Sequence, residues 1–244
     1  MAGGAETVIA AIWDAVGEQG TFAAPAFARP YVMFEGTLNK RLDYRPYDTR
    51  PDGALRDVTI NTGLLPRTML KSPQSFRSGH ATHEWVAMGV NAETLVAGHG
   101  LLDAHTGATS PLKAALDADG SVVFLGCSIA SNTFLHYLED CADAPFLQPA
   151  VLRYIDEKGT WRTGFIPRHL PGHRDFYDAA RHSDFYDEAV RRGLHIDSVP
   201  FGMATLYRMK LRELYDIGMA MFADDPAANL CHNPNCAYCR GYRK

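Results

Sequence analysis

The stretch Ser128 to Asp143, SIASNTFLHYLEDCAD, places a histidine and a glutamate three residues apart in a helix-forming context. On a helix that begins after Asn132, at about 100° per residue, His136 and Glu139 share one face a single turn apart. Asp140 and Asp143 extend that face, while Phe134, Leu135, Tyr137, Leu138, Cys141 and Ala142 fall on the opposite arc. The pattern predicts an apolar arc packed on the core and an acidic face carrying His136. Neighbouring carboxylates favour the protonated imidazole and the helix N-terminus opposes them. A histidine poised in this way near neutrality suits general-base work. The same pattern also describes a solvated helix face that carries one histidine and does nothing further.

Ten histidines and five cysteines raise the question of a metal. His80 and His83 are spaced three apart without the HExxH context of a zinc enzyme, and His169 and His173 flank Pro171 and Gly172, which break a helix. The tail offers more. Cys236 and Cys239 have the spacing of a zinc knuckle, and Cys231 or His232 would complete a ligand set. Zinc modules draw their ligand pairs from two separate segments, however, and only one segment is present here. Reduced tail thiols are the preferred reading, and no metal is expected.

The elements that must position these groups read as an α/β layered fold. Residues 5 to 17 form an amphipathic helix with Val8, Ile9, Ile12 and Val16 on one face, stopped by Gly17. A β-like run follows at Thr21 to Phe27, broken by Pro25. Residues 28 to 66 lack periodicity, and Thr82 to Leu95 is helical or mixed. Val122 to Leu125 is a continuous apolar run between Gly120 and Gly126, as expected of a strand buried on both faces. Another strand is predicted over Ala150 to Ile155 with a turn at Lys158-Gly159, and further helices over 184–193 and 205–223. DFYD recurs at 175 and 184, too short a unit for a structural repeat. No linker interrupts the chain, so residues 1–244 are expected to form one domain with a Cys-rich tail at 231–239.

Composition narrows the function. The net charge of −4 lacks the basic surplus of a nucleic-acid binder, and a mildly acidic protein better hosts a cationic small molecule. No apolar run approaches the roughly 20 residues of a membrane span. Glu6 and Asp14 interrupt the first apolar stretch, so no signal peptide is read there. The odd cysteine count fits no disulfide framework and places the protein in the cytoplasm.

Three ordered blocks give the chain a more specific character. Ser131-Asn132-Thr133-Phe134-Leu135-His136-Tyr137-Leu138-Glu139 is one. His99 through Asp103 to Ser110-Pro111-Leu112, with the run Gly120 to Gly126, is the second. Arg77-Ser78-Gly79-His80-Ala81-Thr82-His83 with Met88-Gly89 is the third. Together, with weaker similarity near Gly4 to Ile9, Gly20-Thr21 and Val199 to Leu206, they resemble the aminoglycoside 3-N-acetyltransferase (antibiotic N-acetyltransferase) family. The family pattern opens with a strand and a His-Ser-Ser-type segment ahead of the glycines at which this chain starts, so that N-terminal segment is expected to be missing.

The resemblance implies a three-layer α/β fold, a sheet with helices on both faces, unlike the GNAT acetyltransferases. It implies acetyl-CoA as co-substrate and an amine of an aminoglycoside, a small polycation, as acceptor. His136 matches the family's catalytic histidine and Glu139 its acidic neighbour; Asp103 matches an acidic position lining the amine site, and Asp140 would add to that lining. Arg77, Ser78, His80 and Thr133 are the residues nominated to meet the coenzyme, with Arg67 and Lys71 close by in sequence. The alternatives are an acyltransferase acting on a different amine, or a non-catalytic or zinc-binding interaction protein built on the same body. Acceptor specificity would lie in 28–66 and near 168–187.

Overall fold

The computed structural model describes residues 3–27, 32–35, 62–80, 83–155, 160–169, 184–230 and 239–242. The chain builds two units and enters each of them twice: residues 1–111 with 149–169, and residues 112–148 with 170–244. The turn at Lys158-Gly159, the first DFYD, the greater part of 28–66 and of 168–187, and residues 231–238 lie outside the described residues.

In the first unit, α1 (Gly4–Val16) stops where expected. Gly17 has φ 71°, a left-handed value that glycine adopts without strain, and its N–H bonds the Trp13 carbonyl at 2.9 Å. β1 (Thr21–Pro25) lies antiparallel to β4 (Trp85–Gly89), with Thr21 opposite Gly89, and β3 (Phe76–Arg77) flanks β4 on its other side. Gly89 has φ 121°, and a Cβ there would sit 2.3 Å from the Gly20 carbonyl oxygen, so the strand crossing requires glycine. The mixed reading of Thr82 to Leu95 resolves into β4 followed by α3 (Ala92–Ala97). Trp85 to Met88 are all buried, as befits the central strand of the sheet. Val86 and Met88 join Ala26 and Met69 in a core onto which Ile9, Trp13, Phe22 and Leu65 pack; Met69 and Leu65 belong to α2 (Leu64–Met69). A second sheet runs in the order β2 (Val32–Glu35), β6 (Gln148–Ile155), β7 (Trp161–His169), with β2 antiparallel to β6.

The second unit contains α4 (Pro111–Asp117), β5 (Ser121–Leu125), a 3-10 turn at Ile129–Ser131 and α5 (Phe134–Cys141). After the return it contains α6 (Asp184–Arg191), β8 (Asp197–Phe201), β9 (Ala204–Lys210), α7 (Leu211–Asp224) and a 3-10 turn at Cys239–Gly241. Its sheet runs β5-β9-β8, antiparallel throughout.

Two sequence expectations are corrected here. The apolar run of β5 is not buried on both faces: among the described residues β5 pairs with β9 alone, and its side chains alternate, with Phe124 buried and Val123 47% exposed. It is a half-buried antiparallel strand rather than an enclosed parallel one. The helix read over 205–223 begins only at Leu211. Residues 204–210, ATLYRMK, alternate β-branched, aromatic and charged side chains and pair on both sides as β9. The α/β class stands, and no described helix is long and apolar enough to cross a membrane.

Candidate active site

α5 is buried from Phe134 through Glu139. Phe134, Leu135, Tyr137 and Leu138 are buried, and so are His136 at 5% and Glu139 at 0% exposure, whereas Cys141 on the expected apolar arc is exposed. The acidic, solvent-facing histidine predicted from periodicity is therefore corrected: His136 and Glu139 form a buried pair. Glu139 Oε2 lies 3.0 Å from His136 Nδ1. The second carboxylate oxygen, Oε1, accepts a hydrogen bond from Asn229 Nδ2, a residue after α7 that is itself 0% exposed. Hydrogen bonds to both oxygens offset the cost of burying the carboxylate and let it hold its partner in one orientation. With that carboxylate on Nδ1, the neutral ring carries its proton there and its lone pair on Nε2. Such an arrangement can orient a histidine for general-base work.

Local sequence explains why α5 begins where it does. Asn132 Oδ1 accepts from the Phe134 N–H at 3.0 Å and so caps the first turn, while its Nδ2 donates to the Tyr186 hydroxyl at 2.9 Å. That hydroxyl donates in turn to the Ile129 carbonyl at 3.1 Å, tying the 3-10 turn to α6. Burial pushes the Tyr186 hydroxyl well above its ordinary pKa, so it remains a donor. Ser128 steadies the turn: its Oγ accepts from Ala130 N at 3.1 Å and its carbonyl from Ser131 Oγ at 2.7 Å. On the far side α7 approaches closely, because Gly218 presents no side chain to Leu138. Beside the turn, an open cleft of about 360 Å³ is lined by Gly126, Cys127, Ser128, Ile129, Ala204, Thr205 and Tyr207. Thr133 heads α5, and Asp140 is half-buried near its end.

The other sequence-nominated residues belong to the first unit, where Ser78 and His80 lie in a buried polar cluster with His99 and His105. Ser78 Oγ accepts from Trp85 N at 2.9 Å and lies 3.2 Å from His99 Nδ1. His80 accepts from His83 N at Nδ1, at 2.9 Å, so its Nε2–H donates to the Asp103 carbonyl, at 3.1 Å. The His80 and His99 rings stack at 4.5 Å, and those of His83 and His105 at 3.9 Å. Desolvation presses His99 down to about 4, against the opposing pull of Asp103. The Asp103 carboxylate clasps its own loop, with Oδ2 accepting from Gly100 N and from Thr109 Oγ1, each at 2.7 Å. Burial alone would raise its pKa, but those bonds and the nearby histidines hold it below the usual carboxylate range. Arg77 Nε donates to Glu84 Oε1 at 2.9 Å, and its guanidinium remains about one-third exposed. Glu84, His105, Tyr186 and Asn229 were not singled out by sequence reasoning. Tyr186 and Asn229 meet their partners 54 and 90 residues away, which no local spacing signals, and Glu84 meets Arg77 beside the β3–β4 pairing. Cys231 and Cys236 lie outside the described residues and Cys239 is buried. Among the described residues, no group of three or more His, Cys, Asp or Glu is placed to hold a metal ion.

The family model described as aminoglycoside 3-N-acetyltransferase matches residues 1–223. Aminoglycoside N(3)-acetyltransferase VII of Streptomyces paromomycinus is 33% identical over 233 residues, covering 90% of this chain and 80% of that protein. Aminoglycoside N(3)-acetyltransferase III of a Salmonella species is 40% identical over 146 residues, 59% of this chain and 50% of its own length. Among solved structures, AAC-IIIb in its binary complex with CoASH superposes with a TM-score of 0.67 at 25% identity, over 91% of this chain and 84% of that one.

Proposed function

We propose that this chain, which belongs to the aminoglycoside 3-N-acetyltransferase family, transfers the acetyl group of acetyl-CoA to the 3-amino group of an aminoglycoside, with His136 as its base. Acyl transfer with acetyl-CoA as co-substrate is the chemistry of that family. The observation that carries the reading is the buried His136–Glu139 pair at 3.0 Å, within the matched segment of the chain. Acetyl-CoA supplies a thioester carbonyl. His136 Nε2 removes a proton from the attacking amine as the N–C bond forms and the C–S bond breaks, then returns it to the departing thiolate. Glu139 stabilises the imidazolium formed in between and keeps the ring from rotating. Direct transfer leaves no covalent acetyl-enzyme, so the exposed Cys127 and Cys141 are not needed as nucleophiles.

Of the four residues nominated for the coenzyme, Arg77 suits contact best, and Thr133 remains a candidate at the head of α5. Arg77 keeps part of its guanidinium in solvent, and guanidinium donors match phosphate oxygens. Ser78 and His80 have their hydroxyl and ring nitrogens engaged within the fold, which favours a shaping role for them. Asp140 and Asp103 are the proposed acidic partners of the acceptor's ammonium groups. With Glu139 enclosed and doubly bonded, that recognition does not draw on it. The odd cysteine count favours a cytoplasmic site of action.

Thiol release from acetyl-CoA, followed with a chromogenic thiol reagent against aminoglycosides and simple amines, tests the reading. A no-acceptor control corrects for the protein's own cysteines. Aminoglycoside-dependent release with an acetylated 3-amino group in the product is expected. Release with simple amines alone would overturn the acceptor assignment, and no release from folded protein would overturn the activity.

A further inference from the structure

We infer that Asn229 is a positioning residue of the active site, holding Glu139 in the ionisation state and orientation that keep His136 in its Nδ1–H form. The inference rests on the role proposed above for His136 and Glu139. It draws on a part of the chain beyond residue 223, where the family match ends.

Asn229 is 0% exposed and follows α7 in a turn that fixes it firmly. Within that turn Ala227 N donates to Asp225 Oδ1 at 2.8 Å, Ala228 N to the Asp225 carbonyl at 2.9 Å, and Leu230 N to the Ala227 carbonyl at 2.9 Å. Its Nδ2 donates to Glu139 Oε1, while Glu139 Oε2 faces His136 Nδ1. The orientation of the amide is settled by its partner: a carboxylate oxygen accepts, so the NH2 end must face it. The amide's other end is not used in the same way. Asn229 Oδ1 is buried with no hydrogen-bond partner. An asparagine kept to bridge two parts of a core would satisfy both ends, because a buried unpaired carbonyl costs stability. This one satisfies only the end directed at Glu139.

The choice of amide has a chemical consequence. A lysine or arginine donor would cancel the charge of Glu139 and weaken its hold on an imidazolium. Asparagine favours the ionised carboxylate by hydrogen bonding and adds no charge of its own. Without that donor, Glu139 takes up a proton or turns away, and Nδ1–H of His136 loses its acceptor. The neutral ring then redistributes toward the Nε2–H tautomer, whose Nε2 has no lone pair to accept the substrate proton.

The test compares the parent with Asn229→Leu and Asn229→Asp. Leucine matches the shape without a donor. Aspartic acid shares one proton with Glu139, so it still donates to Oε1 and leaves the pair with the same net charge. Histidine 15N spectra of the resting protein, with His136 assigned from His136→Gln, report the tautomer without requiring turnover. Steady-state kinetics with acetyl-CoA and an aminoglycoside report function, and thermal melts report folding. In Asn229→Leu, His136 is expected to lose its predominant Nδ1–H form, with kcat lower by roughly tenfold to a hundredfold and both KM values unchanged. Asn229→Asp is expected to restore the tautomer and most of kcat. Retention of the Nδ1–H form and of kcat in Asn229→Leu would overturn the inference. So would a joint loss of kcat, KM and melting temperature that aspartate fails to rescue, since that marks a structural role alone. If the tautomer responds as expected while even the parent transfers no acetyl group, the positioning role stands and the acetyltransferase reading falls.

Discussion

Glu139 works on His136 through two separate properties, its charge and its geometry, and substitution can divide them. In Glu139→Gln the side chain can still accept from Nδ1–H through its oxygen, and its NH2 can donate to Asn229 Oδ1 if that amide turns over. Tautomer and shape then survive while the negative charge is lost. The expected outcome is a kcat lower by roughly tenfold to a hundredfold, less than the loss on removing the base itself. An unchanged kcat would leave His136 acting without an orienting group. The spacing Leu135-His136-Tyr137-Leu138-Glu139 made this pair legible in the sequence, because one helical turn brings i and i+3 together. Its burial was not legible. Periodicity sorted α5 into an apolar and a polar arc, yet the helix is only eight residues long and buried from Phe134 through Glu139. His136 and Glu139 bond each other, and Glu139 also bonds Asn229, ninety positions further on.

At the scale of elements, the close packing of α5 and α7 holds the pair in place. A Cβ on Gly218 would fall 2.4 Å from Leu138 Cδ1, and Leu138 is fully buried between His136 and Glu139 in sequence. Gly218→Ala gains up to about 1 kcal/mol of helix propensity. The crowding costs about 1–3 kcal/mol and displaces the turn that carries His136 and Glu139. The variant is expected to melt lower than the parent and to lose activity; equal stability with full activity would show that Leu138 has room to move. Element reading from sequence succeeded where a single signal dominates, as at the Gly17 stop of α1 or the Asn132 cap of α5. It failed over 204–210, where an alternating strand runs without a break into α7, and at β5, where apolar residues line a half-buried strand. In both places pairing partners distant in sequence decided the outcome.

For the whole molecule, acid sensitivity follows from the buried histidines of the first unit. His99 is held neutral down to about 4 in the fold, against an ordinary value of 6.5 for a histidine. Between those values the unfolded chain binds the proton that the folded chain refuses, so stability falls as pH falls through this window. The shift corresponds to about 3 kcal/mol once the window is crossed. Asp103, held below its ordinary pKa, acts in the same sense: its contribution is present above the unfolded value and lost as pH falls through the folded one. Chemical denaturation at about pH 7 and about pH 4.5 should show a clear loss in the parent and a smaller one in His99→Gln. An identical loss in both would place the acid sensitivity elsewhere. At this scale the sequence is least informative. The chain leaves the first unit at Pro111 and returns at Pro149, and no change in composition marks either crossing.

The central claim is that His136 supplies the base, and turnover of His136→Ala tests it most directly. Acetyl-CoA-dependent acetylation of an aminoglycoside should be compared between parent and variant at equal concentrations of folded protein, with thermal melts confirming the fold. A loss of kcat of roughly a hundredfold to ten-thousandfold with the fold retained is the predicted result. Turnover close to that of the parent would contradict the account, and the base would have to be sought elsewhere in the molecule.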